Sequence, residues 1–342
     1  FLTTQDSIYC TMETEAFPAF SGDKVFKTTA IDVIAPAVTL TAEVDGNPRS
    51  FSFYAKETGH KFRIDWGDGI LVETPEIAVN DGIEWYTEVS GTPVGNGEIK
   101  IYGEGIDYLS AVSNISGAQI TAIDLAGATD LTELEINGND LKAIDLSQNT
   151  KLAKLTCSNN PIESLDLKAN TALTRLDAQN MSLKAIDLSQ NTALTYLHLG
   201  NNQLAEIDLK ANTELASLYL LDNQLTGIDL SQNKKLTYIS LNNNQLTSID
   251  VTACEELGSL FCMNNLLTEA KVENVTKSVN LRGNHFTPAT LPVANSTSYF
   301  YDQQADLQIA ESLKAGETLD LSAQTNITGL ADAPQATVYT WI

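Results

Sequence analysis

Residues Leu183 to Gln203 read LKAIDLSQNTALTYLHLGNNQ, and a pattern of the same length recurs along the middle of the chain. Each copy begins 21 positions after the one before, at Ile120, Leu141, Ile162, Leu183, Leu204, Leu225, Leu246 and Leu267. The eighth copy is shortened, as is expected of a terminal repeat that lacks a neighbour. Self-similarity at a short fixed period predicts a solenoid in which each repeat packs only on its neighbours.

Within each copy, two apolar residues alternate with outward ones, which is the signature of a short β-strand. In the quoted copy these residues are Leu197 and Leu199. The equivalent pairs are Leu134/Ile136, Leu155/Cys157, Leu176/Ala178, Leu218/Leu220, Ile239/Leu241, Leu260/Cys262 and Val279/Leu281. Stacking these pairs predicts a parallel sheet over one continuous core. A second short strand is expected at the Ile-Asp-Leu segment of each repeat, for example at Ile186 and Leu188.

The repeat resembles the leucine-rich-repeat consensus LxxLxLxxNxL, which here falls on Leu194, Leu197, Leu199, Asn202 and Leu204. The short form resembles repeats of bacterial surface proteins such as the internalins and exported Bacteroidetes proteins. This resemblance covers roughly residues 109–290. It implies a leucine-rich-repeat solenoid of seven full repeats and a shortened eighth, in an exported protein that recognises a partner at the bacterial cell surface.

Asparagine recurs after the strand at positions 139, 160, 202, 223, 244, 265 and 284, and only Met181 interrupts the row. We interpret the row as a buried ladder whose amides bond to the backbone of the turns. Met181 is expected to mark a looser turn.

Aspartate recurs in the Ile-Asp-Leu segment at positions 124, 145, 166, 187, 208, 229 and 250. Alternation places these side chains outward. One interpretation is a solvated stripe with local side-chain-to-backbone bonds. The alternative is a series of calcium sites that relieve the repulsion between stacked carboxylates, although one aspartate per repeat does not obviously supply six to eight oxygens. We predict no other cofactor.

The outward residues of the parallel strands form one surface, usually the concave face of such a solenoid, here called the strand face. Its early part is charged, with Glu133, Glu135, Lys154, Arg175 and Asp177. Its later part is aromatic and apolar, with Tyr196, His198, Tyr219, Leu221, Tyr238, Phe261 and Met263. Because contiguous apolar patches and tyrosines favour contact sites, we predict that these seven residues bind the ligand together with Arg175 and Asp177. The alternative is that aromatic residues simply favour strands and pair across them.

The flanking regions differ from the repeats. Residues 31–108 contain alternating segments at Val38–Val44, Ser50–Ala55, Lys61–Trp66 and Gly97–Tyr102, which predict an antiparallel β-sandwich. The segment FRIDWGDG, Phe62 to Gly69, resembles the WDFGDG motif of PKD-like, immunoglobulin-type modules of bacterial surface proteins. Residues 1–30 form a leader segment, and residues 291–342 form a C-terminal β segment that we interpret as part of an immunoglobulin-like domain.

Charge and composition exclude several classes of partner. The formal net charge is −24, from 44 acids and 20 bases, which argues against binding to nucleic acid or to an anionic membrane surface. No apolar run is long enough to span a bilayer. Because the chain begins at Phe1 without a methionine, we expect an export signal to have been removed. The same charge favours a monomer.

The four cysteines do not form a disulfide framework. Cys157 and Cys262 occupy the same position in repeats five steps apart, which places them more than about 20 Å apart at the spacing of sheet strands. Cys10 and Cys254 have no partner suggested by spacing, and clusters with metal-ligand spacing are absent from the sequence.

The motifs of common catalytic sites, including GxSxG, HExxH, GxxxxGK[ST] and GxGxxG, are absent from the sequence. We therefore predict that the protein is not an enzyme. The favoured function is adhesin-like binding of a protein on a host or neighbouring cell surface. Two alternatives stay open: a glycan-binding protein that uses the same aromatic patch, and a structural spacer.

Overall fold

The computed structural model describes residues 35–79, 86–112, 119–287 and 290–301. The expectations for the leader segment, for Cys10 and for most of the C-terminal β segment lie outside these residues. The secondary structure in the described part is β-strand, and the predicted fold class, a repeat solenoid preceded by antiparallel strands, is confirmed. No helix in the described ranges is long and apolar enough to cross a membrane.

The strands in the described residues are β1 Val38–Ala42, β2 Arg49–Ala55, β3 Arg63–Asp65, β4 Leu71–Glu73, β5 Thr87–Gly91, β6 Glu98–Tyr102, β7 Ile106–Ser110, β8 Ile120–Asp124, β9 Glu133–Glu135, β10 Lys154–Thr156, β11 Arg175–Asp177, β12 Tyr196–His198, β13 Ser217–Tyr219, β14 Tyr238–Ser240, β15 Ser248–Asp250, β16 Ser259–Phe261, β17 Glu269–Lys271, β18 Ser278–Asn280 and β19 Ser298–Phe300. They form a five-stranded sheet, β4-β3-β6-β1-β8, and a twelve-stranded sheet, β19-β18-β16-β14-β13-β12-β11-β10-β9-β7-β2-β5. A third sheet in the described part joins β15 to β17.

The N-terminal strands pack as two antiparallel layers around an aromatic core. Phe51 of one layer stacks on Trp66 of the other, with ring centroids 5.6 Å apart, and Phe53 meets Phe62 at 5.4 Å. The hairpin between β3 and β4 turns at the glycines of the WGDG segment. The Asp65 carboxylate closes this turn by accepting hydrogen bonds from the amides of Gly67 and Gly69.

Both N-terminal layers continue directly into the solenoid. Strand β7 pairs antiparallel with β2 on one side and parallel with β9 of the first repeat on the other, with Leu109 opposite Leu134. Strand β1 pairs antiparallel with β8, which belongs to the other side of the first repeat. The sandwich therefore covers the end of the repeat core and extends its main sheet by three strands.

The parallel strands of the solenoid pair in register, so that each repeat places the same position above its neighbour. Leu155, Leu176, Leu197 and Leu218 face one another in turn, and each is fully buried. Because the 21-residue step repeats without insertion from β9 to β16, outward residues also align in columns across the sheet.

The second strand of each repeat differs from the prediction. Within the described repeats it forms at the two ends, as β8 in the first repeat and as β15 and β17 in the last ones, whereas the Ile-Asp-Leu segments from Ile144 to Leu230 are not strands. Where β15 meets β17, Lys271 contacts Asp250 at 2.8 Å and the Val251 amide bonds to Lys271. The Lys–Asp contacts of earlier repeats use a lysine two positions after the aspartate of its own repeat and are longer, at 3.9 Å for Lys168–Asp187 and 3.6 Å for Lys210–Asp229.

The predicted asparagine ladder is present and connects each repeat to the next. Asn202 is typical: its Oδ1 accepts the Leu183 amide at 3.1 Å, and its Nδ2 donates to the carbonyls of Ala178 at 2.9 Å and Leu199 at 3.1 Å. Since Ala178 belongs to the preceding repeat, and Leu183 and Leu199 to the repeat of Asn202, one buried amide connects two repeats.

The residue before each ladder asparagine adopts a left-handed conformation. These residues are Asn159, Asn201, Asp222, Asn243 and Asn264, with φ between 54° and 58°, and Gly138 and Gly283, with φ 72° and 64°. Asn180, before Met181, has the same conformation, with φ 52°. Asn and Asp tolerate this region better than other residues with a side chain. The expectation of a looser turn at Met181 is wrong for the backbone, because Asn180 keeps φ 52° and the Ser182 amide still bonds to Ile162.

A second asparagine row was not predicted. Asn149, Asn170, Asn191, Asn212 and Asn233 are fully buried on the side of the solenoid opposite the strand face. Each Nδ2 donates to two backbone carbonyls of the preceding repeat, as Asn191 does to Leu167 and Asn170. The two rows therefore hold successive repeats together at both sides of the core.

The ladder predicts opposite effects at Asn202 and Met181. Asn202→Met should lower the free energy of unfolding by about 2–4 kcal/mol, because it leaves buried backbone groups without partners. Met181→Asn should raise it, since an amide would then reach the Ile162 N–H. Urea denaturation measures both, with the exposed neighbour Gln203→Ala as control. Equal effects of Asn202→Met and Gln203→Ala would contradict the ladder.

The buried cysteines give a second prediction. Cys157, Cys254 and Cys262 are free thiols buried in the core, and burial raises the pKa of Cys157 to about 12 and that of Cys254 to about 11. Thiolate is the reactive form. A Cys10→Ser variant should therefore resist a thiol reagent at pH 8 until denaturant is added, and then label at all three sites. Rapid labelling of the folded variant would show that these thiols are not core residues.

Candidate functional site on the strand face

The nine residues predicted to bind the ligand lie together. They occupy β11, β12, β13, β14 and β16, which are successive neighbours in the main sheet, or the positions just after these strands. Each of the nine is half-buried. The sequence predicted an exposed patch, and the side chains are more covered than expected because they pack against one another across the strands.

Four rings form an unbroken line along the solenoid axis, here called the ring row: Tyr196, Tyr219, Tyr238 and Phe261. Successive ring centroids are 5.4, 4.9 and 5.4 Å apart, and successive ring planes are tilted by 41°, 32° and 37°. These distances lie in the range of favourable aromatic pairs. Because Tyr219 has Tyr196 on one side and Tyr238 on the other, neighbouring rings cover much of its two faces.

Charged groups fix the start of the ring row. The Arg175 guanidinium lies 3.6 Å from the centre of the Tyr196 ring, a cation–π contact. His198 packs 5.0 Å from the Tyr219 ring, and its Nδ1 lies 3.6 Å from Asp177 Oδ2.

Asp177 is held as a carboxylate. Burial alone would raise its pKa, but the hydrogen bonds from His198 and Ser158 outweigh burial and lower the pKa. The Ser158 hydroxyl donates to Asp177 Oδ1 at 2.7 Å. Since this hydroxyl is directed to the carboxylate and not to the imidazole, the three side chains do not form a nucleophile and base pair.

Leu221 and Met263 border the ring row on the side where the strands end. The Leu221 side chain lies over Gly200, where a Cβ would come within 2.8 Å of Leu221 Cδ2 and 3.1 Å of His198 Nε2. Gly200 therefore leaves room for Leu221 to pack against the start of the row. The Met263 amide donates to Asn242 Oδ1 at 2.9 Å, which fixes the neighbouring turn.

The charged half of the strand face is engaged in internal contacts. Lys154 pairs with Glu133 at 2.9 Å, and the Tyr108 hydroxyl donates to Glu135 Oε2 at 2.9 Å. Burial raises the pKa of Tyr108, so this hydroxyl stays protonated.

Sequence reasoning missed a second aromatic cluster on the same sheet. Tyr108 of β7 lies 5.3 Å from Tyr54 of β2 and 6.5 Å from Tyr86, between ring centroids. Because β2 and β7 extend the solenoid sheet, these rings share the strand face with the ring row. The alternation of Ser52 and Tyr54 with buried Phe51 and Phe53 was a usable signal for an outward tyrosine on β2.

The other end of the face also continues beyond the predicted patch. Phe300 of β19 lies opposite Asn280, and the Arg282 guanidinium lies 4.8 Å from the centre of the Phe300 ring. Aromatic side chains therefore occur on the strand face from β2 to β19.

The aspartate row lies away from this face and forms local bonds. Each carboxylate accepts the amide two residues on, as Asp187 does from Ser189 at 3.0 Å and Asp208 from Lys210 at 3.0 Å. This agrees with the interpretation as a solvated stripe. Within the described ranges, no group of three or more His, Cys, Asp or Glu side chains is arranged to hold a metal ion.

Comparison with solved structures shows the leucine-rich-repeat fold. The functional domain of InlJ from Listeria monocytogenes, which includes a cysteine ladder, is 24% identical, with a TM-score of 0.50 over 66% of this chain and 59% of that one. A leucine-rich-repeat protein of Leptospira interrogans is 20% identical, with a TM-score of 0.43 over 52% of this chain and 56% of that one. The chain thus spans less than two thirds of either structure. No protein-family model and no curated protein sequence matches it.

The Asp177 geometry predicts a pH-dependent contribution to stability. A carboxyl whose pKa is lower in the folded than in the unfolded protein stabilises the fold above its unfolded pKa of about 3.9, and this stabilisation is lost as the pH falls through the folded value. The difference in unfolding free energy between the native protein and Asp177→Asn should therefore be largest near pH 7 and shrink towards pH 3. Urea denaturation across this range measures it.

The exposed Asp166 provides the matched control. Asp166→Asn makes the same charge change outside the strand face and should change the unfolding free energy at pH 7 by less than Asp177→Asn does. A difference for Asp177→Asn that stayed constant between pH 7 and pH 3 would contradict the assigned contacts.

Proposed function

We propose that this protein is a non-catalytic recognition protein that binds a protein partner through its strand face. The leucine-rich-repeat fold typically binds proteins. The observation that carries the proposal is the ring row, in which four aromatic side chains on consecutive strands are in continuous contact. Aromatic anchors surrounded by small polar residues are characteristic of protein-binding surfaces.

The packing of the rings supports tight binding, because the side chains are already ordered before a partner arrives. Ordering a flexible side chain at an interface costs about 0.5–1.5 kcal/mol, and a preorganised surface avoids that cost. Around the rings lie small polar residues of neighbouring strands, including Ser217, Ser240 and Asn242. These residues supply hydrogen bonds while the rings supply apolar contact area.

A protein partner fits the ring row better than a glycan does. Stacking of a sugar needs an aromatic face that is open to the ligand. Tyr219 and Tyr238 each lie between two other rings at 4.9–5.4 Å, so these contacts occupy part of the ring surface on which a sugar would stack. Glycan binding is the alternative that the experiment below distinguishes.

We further propose that the protein acts outside the cell, at a bacterial surface, on a protein of a host or neighbouring cell. The proposal rests on the repeat type and on the net charge of −24, which keeps a monomer soluble and disfavours nucleic acid and anionic membranes.

The test compares the native protein with the double variant Tyr219→Ala/Phe261→Ala. Both proteins are tested in parallel for binding to a preparation of cell-surface proteins and to a glycan array. Removing two rings from the row should lower affinity for the protein partner by about tenfold or more, as is typical of interface anchors. The variant should stay folded, since these side chains lie outside the leucine core, and its melting temperature measures the loss of the ring contacts.

The control variant is Gln190→Ala/Gln232→Ala, two exposed residues away from the strand face that bond only to the adjacent serines at 3.5 and 3.4 Å. It should bind as the native protein does. Retained binding by the tyrosine and phenylalanine double variant would refute the proposal, and array hits lost in that variant would favour the glycan alternative.

A further inference from the structure

Three tyrosines on the sandwich part of the strand face, Tyr54, Tyr86 and Tyr108, form a cluster that is here called the tyrosine platform. Tyr108 is only 7% exposed, and its ring centroid lies 5.3 Å from that of Tyr54 and 6.5 Å from that of Tyr86. The Tyr108 hydroxyl donates to Glu135 Oε2 at 2.9 Å, which fixes the ring. Tyr86, in contrast, is 45% exposed, whereas the rings of the ring row are half-buried. The platform therefore presents a supported tyrosine ring with open surface.

A row of polar side chains, here called the polar row, runs beside the tyrosine platform. The register places Ser52 of β2 between Glu88 of β5 and Ser110 of β7. Because alternate residues of a strand point to the same side of a sheet, Ser52 shares the outer face with Tyr54, and Glu88 shares it with Tyr86. Hydroxyl and carboxylate groups therefore lie next to the aromatic rings, one pair of residues further along each strand.

The size of this patch suits a small ligand. Two residues of an extended strand advance about 6.8 Å, which separates the polar row from the platform, and three strands span about 9.6 Å across the sheet. A standard protein interface covers about 800 Å² on each partner, roughly ten times this area.

The chemistry of the patch matches that of a sugar. The C–H groups of a pyranose ring carry a partial positive charge and pack on the negative face of an aromatic ring, which Tyr86 exposes. Sugar hydroxyls need partners that accept or donate hydrogen bonds. Serine hydroxyls do both, and a carboxylate such as that of Glu88 accepts several at once.

The charge of the patch favours a neutral sugar. The outward residues of β2, β5 and β7 that the structure describes include neither lysine nor arginine. Glu88 lies at one end of the polar row, and Glu135 of β9 lies opposite Ser110 at the other end. Because like charges that face each other across an interface are unfavourable, the carboxylate of an acidic sugar or a sulfate group is disfavoured.

We propose that the tyrosine platform and the polar row bind a neutral hexose unit of a glycan, with the sugar ring on Tyr86 and its hydroxyls bonded to Glu88 and Ser52. This site is distinct from the one in the proposed function. Four strand steps, or about 19 Å, separate Tyr108 from Tyr196 at the start of the ring row. A glycan on the sandwich and a protein on the ring row are therefore compatible with each other.

The test uses a glycan array that carries neutral, sialylated and sulfated glycans, probed with the native protein and with Tyr86→Ala and Tyr86→Phe. Neutral glycans that bind are then measured by titration calorimetry. Tyr86→Ala removes the ring and should weaken binding by about tenfold or more. Tyr86→Phe keeps the ring and should retain most of the affinity. Because Tyr86 is exposed, both variants should melt close to the native protein.

A variant of the polar row provides an independent readout with a matched control. Glu88→Gln preserves the shape of the side chain but removes its charge, and hydrogen bonds to an ionised acceptor are stronger than those to a neutral one. It should weaken binding of the neutral glycan several-fold. Glu163→Gln makes the same change at an exposed solenoid residue outside the strand face and should bind as the native protein does.

A blank array, equal binding by the native protein and Tyr86→Ala, or a preference for sialylated or sulfated glycans would overturn the inference. So would array hits that are kept by Tyr86→Ala and lost with Tyr219→Ala/Phe261→Ala, because they would place the sugar on the ring row.

The same preparations separate this inference from the proposed function. If a cell-surface protein binds through Tyr219 and Phe261 while the array stays blank, the inference is wrong and the proposed function stands. If glycan binding depends on Tyr86 and no protein binds, the inference stands and the proposed function is wrong. A captured protein that is lost with Tyr86→Ala, together with a blank array, would assign the patch to the protein interface and contradict the inference.

Discussion

A buried asparagine amide that serves two repeats at once is the contact on which the remaining structure depends. Leucine packing alone favours burial but does not fix the register of one repeat on the next, since apolar contacts are not directional. The Asn202 amide does fix the register, because it bonds to Ala178 of the preceding repeat and to Leu183 and Leu199 of its own. All three hydrogen bonds form only when the two repeats are in register. The second row, at Asn191 and its equivalents, applies the same constraint at the other side of the core. Register at both sides then aligns every outward column, including the ring row.

The sequence predicted the solenoid, its core and the ladder because these depend on a repeated local pattern. It also identified the residues of the candidate site, since a 21-residue period assigns each outward residue to a column. The sequence did not reveal the second asparagine row, because Asn149 and Asn170 lie in segments that look like polar turns. It also did not reveal that the segments between Ile144 and Leu230 lack a second strand, because strand pairing depends on the distance between neighbouring backbones. Tyr54 and Tyr108 were missed as part of the face because only the β7–β9 pairing reveals that the two sheets are continuous.

The half-buried state of the rings changes how the candidate site should be understood. Ordering the side chains of an exposed patch on binding would cost conformational free energy. Rings that lie 4.9–5.4 Å from one another are already ordered in the free protein. Rings from two outward columns meet in one continuous line along the solenoid axis. This order of the face follows from the register of the strands, which aligns the outward residues in columns. The same sheet carries Tyr108 and its neighbours about 19 Å from Tyr196, four strand steps away, so a large partner can reach both clusters.

Site-specific photo-crosslinking tests the central claim, that the strand face is the binding surface, most directly. A benzophenone side chain placed at Ser278, a half-buried residue of the strand face beyond the ring row, is compared with one at the exposed Gln190 on another side of the solenoid. Both proteins are irradiated with the same cell-surface preparation under native conditions. The account predicts a discrete protein adduct from position 278, suppressed by excess unlabelled native protein, and none from position 190. Adducts from position 190 alone, or equally from both positions, would contradict it.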